Sequence, residues 1–138
     1  MLRMTRELYD ELTAHARTAY PRECCGVLVG TASEVKVVER VVRTENRNTE
    51  RAGDRYEISP ADLNRIDKEA RAEGLDVLGF YHSHPDHADR PSRFDRERGQ
   101  PWYSYLIVSV RGGRVESARS WCFEEPDEPF AEEALEIA

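Results

Sequence analysis

The stretch that decides the fold is LGFYHSHPDHADRPSRFDRE, residues 78–97. It begins with apolar residues typical of a buried strand and then carries three of the chain's four histidines within six positions. Ser92 and Asp95 follow, directly after a proline of the kind that marks a helix start. A strand that runs into a cluster of metal-binding residue types predicts a site built at the end of a sheet strand.

His82 and His84 stand two positions apart at the end of this strand. Residues i and i+2 of a strand point to the same face and lie ~6.5–7 Å apart along the chain. Two imidazoles so placed can bind one ion. Ser83, between them, is expected to point away from the metal. The pair therefore predicts a metal centre.

The sequence offers two candidates for the remaining ligands. Residues 82–87 fit the pattern H-x-H-x-D-H through His82, His84, Asp86 and His87, which resembles the dinuclear metallo-β-lactamase superfamily. That superfamily needs a longer, duplicated sheet and further histidine ligands downstream. No histidine follows His87. The pattern is therefore disfavoured, and His87 is expected in a solvent-facing loop.

The other candidate is Asp95, which forms the pattern S-x-x-D with Ser92. On a helix, residues i and i+3 share a face, so both side chains can look toward the histidines. The same pattern is also a capping box, in which both side chains only satisfy first-turn amides. Two histidines and one carboxylate leave a fourth position of Zn²⁺ open for water, as in catalytic sites, and such a site needs a nearby general base.

The rest of the chain predicts one mixed α/β domain. Thr5 caps a predicted amphipathic helix over residues 5–20, and Ser59 caps a second helix that stops at Gly74. The turns 30–34 and 111–113 each predict a hairpin. Six segments are typical of strands: CGVLVG (25–30), EVKVVERVVRT (34–44), YEI (56–58), LDVLGFYHS (75–83), WYSYLIVSV (102–110) and GRVESARSWCF (113–123).

Two segments depart from this alternation. The polar, Arg-rich loop 43–55 is long for a compact domain, and such loops are often functional. Its Arg47 and Arg51 are candidates for steering an acidic partner. Residues 125–138 are expected to form a flexible acidic tail, despite a weak helical pattern.

Charge and composition exclude several classes of protein. The 138 residues suffice for one domain. The formal net charge of −7 belongs to residues 124–138, because residues 1–123 hold equal numbers of acids and bases. The bases are scattered rather than gathered in a stripe, which argues against nucleic acid as a partner.

The sequence also predicts a cytoplasmic protein without membrane contact. No apolar run is long enough to cross a bilayer, and the first residues lack the apolar core of a signal peptide. The three cysteines, Cys24, Cys25 and Cys122, have no disulfide-framework spacing and suit a reducing compartment. They are expected to pack as small apolar side chains.

Two separated elements resemble the JAMM (MPN+) zinc metalloproteases. Residues 21–30, PRECCGVLVG, match E-x-C-G-x-L-x-G, and residues 82–95 match H-[ST]-H-x7-S-x2-D. The resemblance spans roughly residues 1–123. It implies an α/β fold of the MPN (cytidine-deaminase-like) type, with a mixed, mostly antiparallel curved sheet flanked by helices. Residues 1–124 would form the catalytic domain, followed by the tail of residues 125–138.

The resemblance also implies roles for five residues. His82, His84 and Asp95 would bind one Zn²⁺ per chain with water as the fourth ligand, Glu23 would be the general base, and Ser92 would stabilise the oxyanion. Zn²⁺ lowers the pKa of its water to about 7. Losing one oxyanion donor typically costs ~10²–10³ in rate.

The activity implied is that of a prokaryotic stand-alone metallopeptidase or isopeptidase. Such relatives hydrolyse the amide after the C-terminal Gly-Gly of a ubiquitin-like or sulfur-carrier protein, releasing for example cysteine or a peptide. An extended tail of this kind can add to a sheet edge. One alternative is a non-catalytic MPN-type scaffold that binds a ubiquitin-like partner, which the complete residue set disfavours. Another is a DNA-repair-associated JAMM-like domain, in which Asn is expected in place of Ser83.

Overall fold

The computed structural model describes all residues, Met1–Ala138. Three helices and eight strands follow one another along the chain as β1 (Leu2–Met4), α1 (Arg6–Ala19), β2 (Cys25–Ala32), β3 (Lys36–Thr44), α2 (Pro60–Ala72), β4 (Asp76–Pro85), α3 (Arg93–Arg98), β5 (Ser104–Arg111), β6 (Arg114–Cys122), β7 (Ala131–Glu133) and β8 (Leu135–Ile137).

Both long helices begin where their caps predict. The Thr5 side chain accepts a hydrogen bond from the Leu8 N–H at the start of α1, and the Ser59 side chain accepts one from the Asp62 N–H at the start of α2. Gly74 follows α2 with φ of 73°, a left-handed conformation that suits glycine at a helix end. Neither helix, nor α3, is long and apolar enough to span a membrane.

The strands form one mixed sheet in the order β7-β6-β5-β4-β2-β3-β1-β8. Four of its seven pairings are antiparallel and three are parallel, among them the pair of β4 and β5. The predicted hairpins, β2–β3 and β5–β6, are both present. The predicted mixed, mostly antiparallel sheet flanked by helices is therefore confirmed.

Helices α1 and α2 cover opposite faces of the sheet. On one face, Leu12 and Ala16 of α1 pack into a buried cluster with strand residues such as Leu106 and Val108. On the other face, Ile66 and Ala70 of α2 pack against Val27, Val29 and Val77. Because successive strand residues alternate between faces, each central strand contributes to both layers.

Two glycines in the central strands are required by close neighbours. A Cβ on Gly79 would collide with the Ser104 carbonyl group of β5, and a Cβ on Gly26 would collide with the Tyr81 ring. Backbone approach therefore explains Gly79, whereas side-chain packing explains Gly26.

The structure differs from the expected flexible tail at residues 131–137, where two short strands extend the sheet. Strand β7 pairs with β6, and β8 pairs with β1. Only Ala134 separates β7 from β8, so the tail connects the two outer edges of the sheet. Phe130 packs edge-on against Phe123 and Tyr105, with ring centroids 5.0 and 5.3 Å apart. The weak apolar pattern of the tail therefore belongs to short strands rather than a helix, and Phe130 packs this segment against the domain.

Two further elements differ from the sequence expectation. Residues 56–58 form no strand and lie in the loop before α2. Strand β1 was not predicted, because its three residues owe their conformation to parallel pairing with β3 and β8. Such short strands are determined by distant partners, and local propensity carries little of that information.

Candidate metal centre and active site

The two histidines meet at the end of β4. Their side chains continue the face on which Phe80 packs against the α2 layer, and the Nε2 atoms of His82 and His84 are 3.2 Å apart. Ser83 points to the opposite face, where its Oγ accepts a hydrogen bond from the Cys24 N–H at 2.8 Å. The two rings come together as the strand spacing predicts.

Asp95 reaches the histidines from α3. Its Oδ2 lies 3.2 Å from His82 Nε2 and 3.0 Å from His84 Nε2. The same oxygen accepts a hydrogen bond from the Ser92 N–H at 2.9 Å, and the Ser92 Oγ accepts one from the Asp95 N–H at 3.1 Å. The capping box and the approach to the histidines, which are alternatives in the sequence, therefore occur together.

These three side chains fit a metal ion. In a tetrahedral Zn²⁺ site with bonds of ~2.0–2.1 Å, neighbouring ligand atoms lie about 3.3 Å apart. The three distances among His82 Nε2, His84 Nε2 and Asp95 Oδ2 are 3.2, 3.2 and 3.0 Å. His84 Nδ1 lies 2.7 Å from the Ala88 carbonyl oxygen. That bond holds the proton on Nδ1, so Nε2 presents its lone pair to the cluster.

The protonation states also suit a cation. Burial lowers the pKa of His82. Burial opposes ionisation of Asp95, but the electrostatic interaction with His82, the close contacts with both histidines and the hydrogen bond from the Ser92 N–H hold the pKa of Asp95 below its usual range. An ionised carboxylate beside a neutral imidazole is the state that metal binding requires.

Glu23 lies beside this cluster, at the start of β2. It is 4% exposed, and burial raises its pKa to about 9, with smaller contributions from the negative charges of Asp95 and Asp54. A Glu23 carboxylate oxygen and ring nitrogens of both histidines lie within 4.8 Å of one another. Glu23 and Asp95 are thus both near the histidines. The 3.0–3.2 Å spacing of the Asp95 oxygen favours Asp95 as the third ligand.

Glu23, His84 and Ser92 open onto one pocket of about 410 Å³. The Ser92 Oγ uses a lone pair to accept the bond of the Asp95 N–H, which leaves its hydroxyl hydrogen free to donate. A buried carboxyl group, a candidate metal cluster and a hydroxyl donor therefore face the same pocket.

The alternative pattern through Asp86 and His87 is not assembled. Both residues are exposed. Asp86 instead accepts hydrogen bonds from the Tyr20 hydroxyl at 2.7 Å and the Gly112 N–H at 2.9 Å. His87 lies at the pocket rim, as the solvent-facing loop residue that the sequence predicts.

Asn46 supports Glu23 from the loop and was missed in the sequence. Its Nδ2 donates to the carbonyl oxygens of Glu23 at 3.1 Å and Arg55 at 3.0 Å. Its Oδ1 accepts from the N–H groups of Asn48 and Glu57. One amide thus ties the segment of Glu23 to three points of the loop. A polar residue within a polar loop gives no signal of this role.

Tyr56 is a second missed residue. Its ring stacks on the His82 imidazole with centroids 4.4 Å apart and an interplanar angle of 23°. His82 Nδ1 makes no hydrogen bond within the protein, so stacking on Tyr56 and the contact of Nε2 with Asp95 orient this ring. The sequence placed Tyr56 in a strand, and its position beside His82 follows only from the folded loop.

The Arg-rich loop contributes unevenly to the pocket. Arg51 and Arg55 line it, together with Arg90 and Arg93 from the other side. Arg47 instead makes an exposed ion pair with Glu45 at 3.3 Å and is not part of the lining.

The cysteines contribute no chemistry here. Cys24 and Cys25 are buried, and burial raises the pKa of their thiols to about 12 and about 11.

The chain matches the family described as prokaryotic homologs of the JAB domain over residues 5–124. It is 35% identical over 130 residues to the desampylase of Haloferax volcanii, covering 90% of each chain. It is 28% identical over 116 residues to the CysO-cysteine peptidase of Mycobacterium tuberculosis, covering 83% of this chain and 77% of that one.

Solved structures are similar over the whole chain. A protein of Desulfitobacterium hafniense matches with a TM-score of 0.87 and 30% identity, covering 100% of this chain and 93% of that one. A JAB1/MPN domain protein of Archaeoglobus fulgidus matches with a TM-score of 0.59 and 20% identity, covering 100% and 97%. The latter likeness concerns the fold, which is the MPN type expected from the two sequence elements.

Proposed function

Because this chain belongs to the family of prokaryotic homologs of the JAB domain, we propose that it is a zinc-dependent peptidase of the JAMM type. Its substrate is a ubiquitin-like or sulfur-carrier protein, and the bond hydrolysed is the amide after a C-terminal Gly-Gly. The observation that carries the proposal is the buried carboxyl group of Glu23 facing the cluster of His82, His84 and Asp95 in one pocket.

The names of similar proteins support a ubiquitin-like or carrier protein as the substrate. The desampylase and the CysO-cysteine peptidase are joined by a probable TtuB-protein conjugate cleaving protease of Thermus thermophilus, 31% identical over 115 residues and covering 83% of this chain and 74% of that one. Each name describes removal of a group joined to another protein or carrier. The Gly-Gly end is the part of the proposal that rests on the sequence resemblance.

The chemistry divides among five residues. His82, His84 and Asp95 would hold one Zn²⁺ per chain, and water would be its fourth ligand. When bound, the ion supplies a Lewis acid and activates water near neutral pH. A nearby dication favours the ionised form of Glu23. Glu23 can then take a proton from water that attacks the scissile carbonyl and pass it to the leaving nitrogen. Ser92 donates its free hydroxyl hydrogen to the carbonyl oxygen as that oxygen becomes negative.

The sides of β6 and β1 that face away from the centre of the sheet are not available to a substrate tail. Strands β7 and β8 already occupy the free sides of β6 and β1. Access to Glu23 and Ser92 instead runs through the pocket of about 410 Å³ between the Arg-rich loop and α3. A glycine pair suits such an entry, because glycine carries no side chain to clash with the walls.

The proposal includes a cytoplasmic location and favours an enzyme over a non-catalytic scaffold. Three free cysteines support a reducing compartment, and we place the protein in the cytoplasm. A non-catalytic scaffold would need neither the buried carboxyl group of Glu23 nor a metal. The presence of all five residues in one site, with Asp95 at ligand spacing, supports the enzyme.

The proposal is tested on carriers extended beyond Gly-Gly. Purified protein is incubated with Gly-Gly-tailed ubiquitin-like carriers that end in cysteine or a short peptide, and intact-mass spectrometry follows the loss of the extension. We expect loss that stops on chelation, returns with Zn²⁺ and is absent in His82→Ala. A protein that binds no metal under zinc-replete conditions and leaves every carrier intact would instead support the scaffold.

A further inference from the structure

The pocket next to Glu23 is cationic in an acidic protein. The chain has a formal net charge of −7, yet four arginines and only two acids, Glu23 and Asp54, line this pocket. Even with both acids ionised, the arginines outnumber them by two. The local charge therefore favours an anionic group in the pocket.

Two of the four arginines already have partners. Arg51 makes an ion pair with Asp54, and Arg93 makes one with Glu97 at 3.1 Å. Arg55 and Arg90 make no ion pair with any carboxylate of the chain. Arg55 is also half-buried. Leaving a partly desolvated cation without an anion costs free energy. A ligand that supplies the anion removes this cost and therefore binds more tightly.

Arg55 is held in position relative to Glu23. Its guanidinium lies over the Phe94 ring at 4.7 Å from the centroid, and its backbone N–H donates to the Arg51 carbonyl oxygen at 2.7 Å. The Asn46 amide bonds the carbonyl oxygens of both Arg55 and Glu23. The cation and the proposed general base thus share one rigid support, which reduces the entropy lost when a ligand binds both.

We propose that Arg55, assisted by Arg90, binds a carboxylate of the leaving group. The preferred substrates are then carriers whose Gly-Gly is followed by an amino acid or short peptide with a free C-terminal carboxylate. When the leaving group is a single amino acid, only one carbon atom separates its carboxylate from the scissile nitrogen. A lysine side chain of a folded protein brings no carboxylate to that position. The inference rests on the proposed function for the scissile bond.

Binding is tested without turnover in the zinc-loaded Glu23→Gln protein. The probes are two fluorescein-labelled peptides that end in Gly-Gly-Ala, one with a free carboxylate and one with a carboxamide, and fluorescence anisotropy gives each Kd. We expect the acid to bind about tenfold more tightly, as one charge-assisted hydrogen-bond pair provides. Adding Arg55→Gln or Arg90→Gln should bring the ratio of the two Kd values toward one.

Arg71→Gln is the matched control, because Arg71 lies on α2 and pairs with Asp67 at 3.2 Å, away from the pocket. It should keep the preference for the acid. Equal affinities for acid and amide, including no binding of either, would overturn the subsite. A preference that persists with both Arg55 and Arg90 replaced would also overturn it, since the carboxylate would then bind elsewhere, for example on the metal.

A kinetic arm separates this inference from the proposed function. The wild-type protein should cleave the acid with kcat/KM about tenfold above the amide, mainly through KM, and Arg55→Gln should remove that ratio. Equal cleavage of both peptides would reject the subsite and leave the peptidase intact. Tighter binding of the acid without any hydrolysis by the wild type would reject the peptidase and leave the subsite intact.

Discussion

The two faces of β4 use neighbouring residues in opposite ways. Toward α1, the Tyr81 hydroxyl lies 2.7 Å from His15 Nδ1, and burial, with the charge of Arg43, lowers the pKa of His15 to about 4. That histidine is a neutral packing partner. Toward α3, His82 and His84 turn their Nε2 atoms to Asp95. His15 also lines a cavity, so a histidine withdrawn from water becomes a metal site only where further ligand side chains converge on it.

The different roles of the two faces are tested by replacing one residue on each face with alanine. His84→Ala should remove zinc and lower turnover by at least ~10³, since a metal ligand is lost while the fold remains. Its neighbour Ser83→Ala should keep zinc. It should lower the free energy of unfolding by about 1–3 kcal/mol, because the buried Cys24 N–H loses its acceptor.

Metal analysis by mass spectrometry and urea unfolding check both variants of that pair. Zinc retained in His84→Ala, or zinc lost in a folded Ser83→Ala protein, would contradict the assignment of the two faces.

The next effect tests how far the site face depends on the tail. The Phe130 ring contacts Gly99 at the end of α3, the helix that carries Asp95. Phe130→Ala should lower the free energy of unfolding by about 1.5–3 kcal/mol through lost apolar burial, and weaken zinc binding several-fold because α3 loses a contact.

Glu136→Ala is the control for that variant, because Glu136 makes only an exposed ion pair with Arg3 at 2.8 Å. Thermal melts with and without zinc report both effects. A Phe130→Ala protein as stable as the control would mean that the tail strands add little.

The smallest expected effect concerns Glu23 in the metal-free protein. Its pKa is about 9 in the folded state against an ordinary value of 4.5, so the folded state keeps a proton that the unfolded state releases. Stability should therefore fall as pH rises from 4.5 toward 9. Glu23→Gln cannot ionise and should lose less stability, so its advantage over the wild type should be larger at pH 8 than at pH 5.5.

Urea midpoints in EDTA at those two values of pH measure this difference. A Glu23→Gln advantage that is equal at both would show that the carboxyl group is ionised, or solvated, throughout.

Helix caps, turn residues and the histidine spacing correctly predicted the local structure around them. Thr5 and Ser59 begin helices, the hairpins lie where the turns are, and the i, i+2 histidines meet because a pleated strand allows no other outcome. The three-residue strands β1, β7 and β8 were missed because their conformation comes from pairing with other strands, and β1 and β8 pair across opposite ends of the chain.

The site divides in the same way. Spacing and the two family elements located the residues around His82 and Asp95, and S-x-x-D remained ambiguous because one oxygen serves both the cap and the cluster. Asn46, Tyr56 and Arg55 left no local signal. Their roles depend on where the loop packs, which is set by contacts made only after folding.

The central claim, that a buried carboxyl group turns a metal cluster into a hydrolase, is tested most directly by Glu23→Gln. Zinc content and cleavage of a Gly-Gly-extended carrier are measured together on the purified variant and the wild type. The account predicts one zinc per chain in both proteins and a rate at least ~10²-fold lower in Glu23→Gln. A variant that keeps zinc and cleaves at the wild-type rate would contradict it.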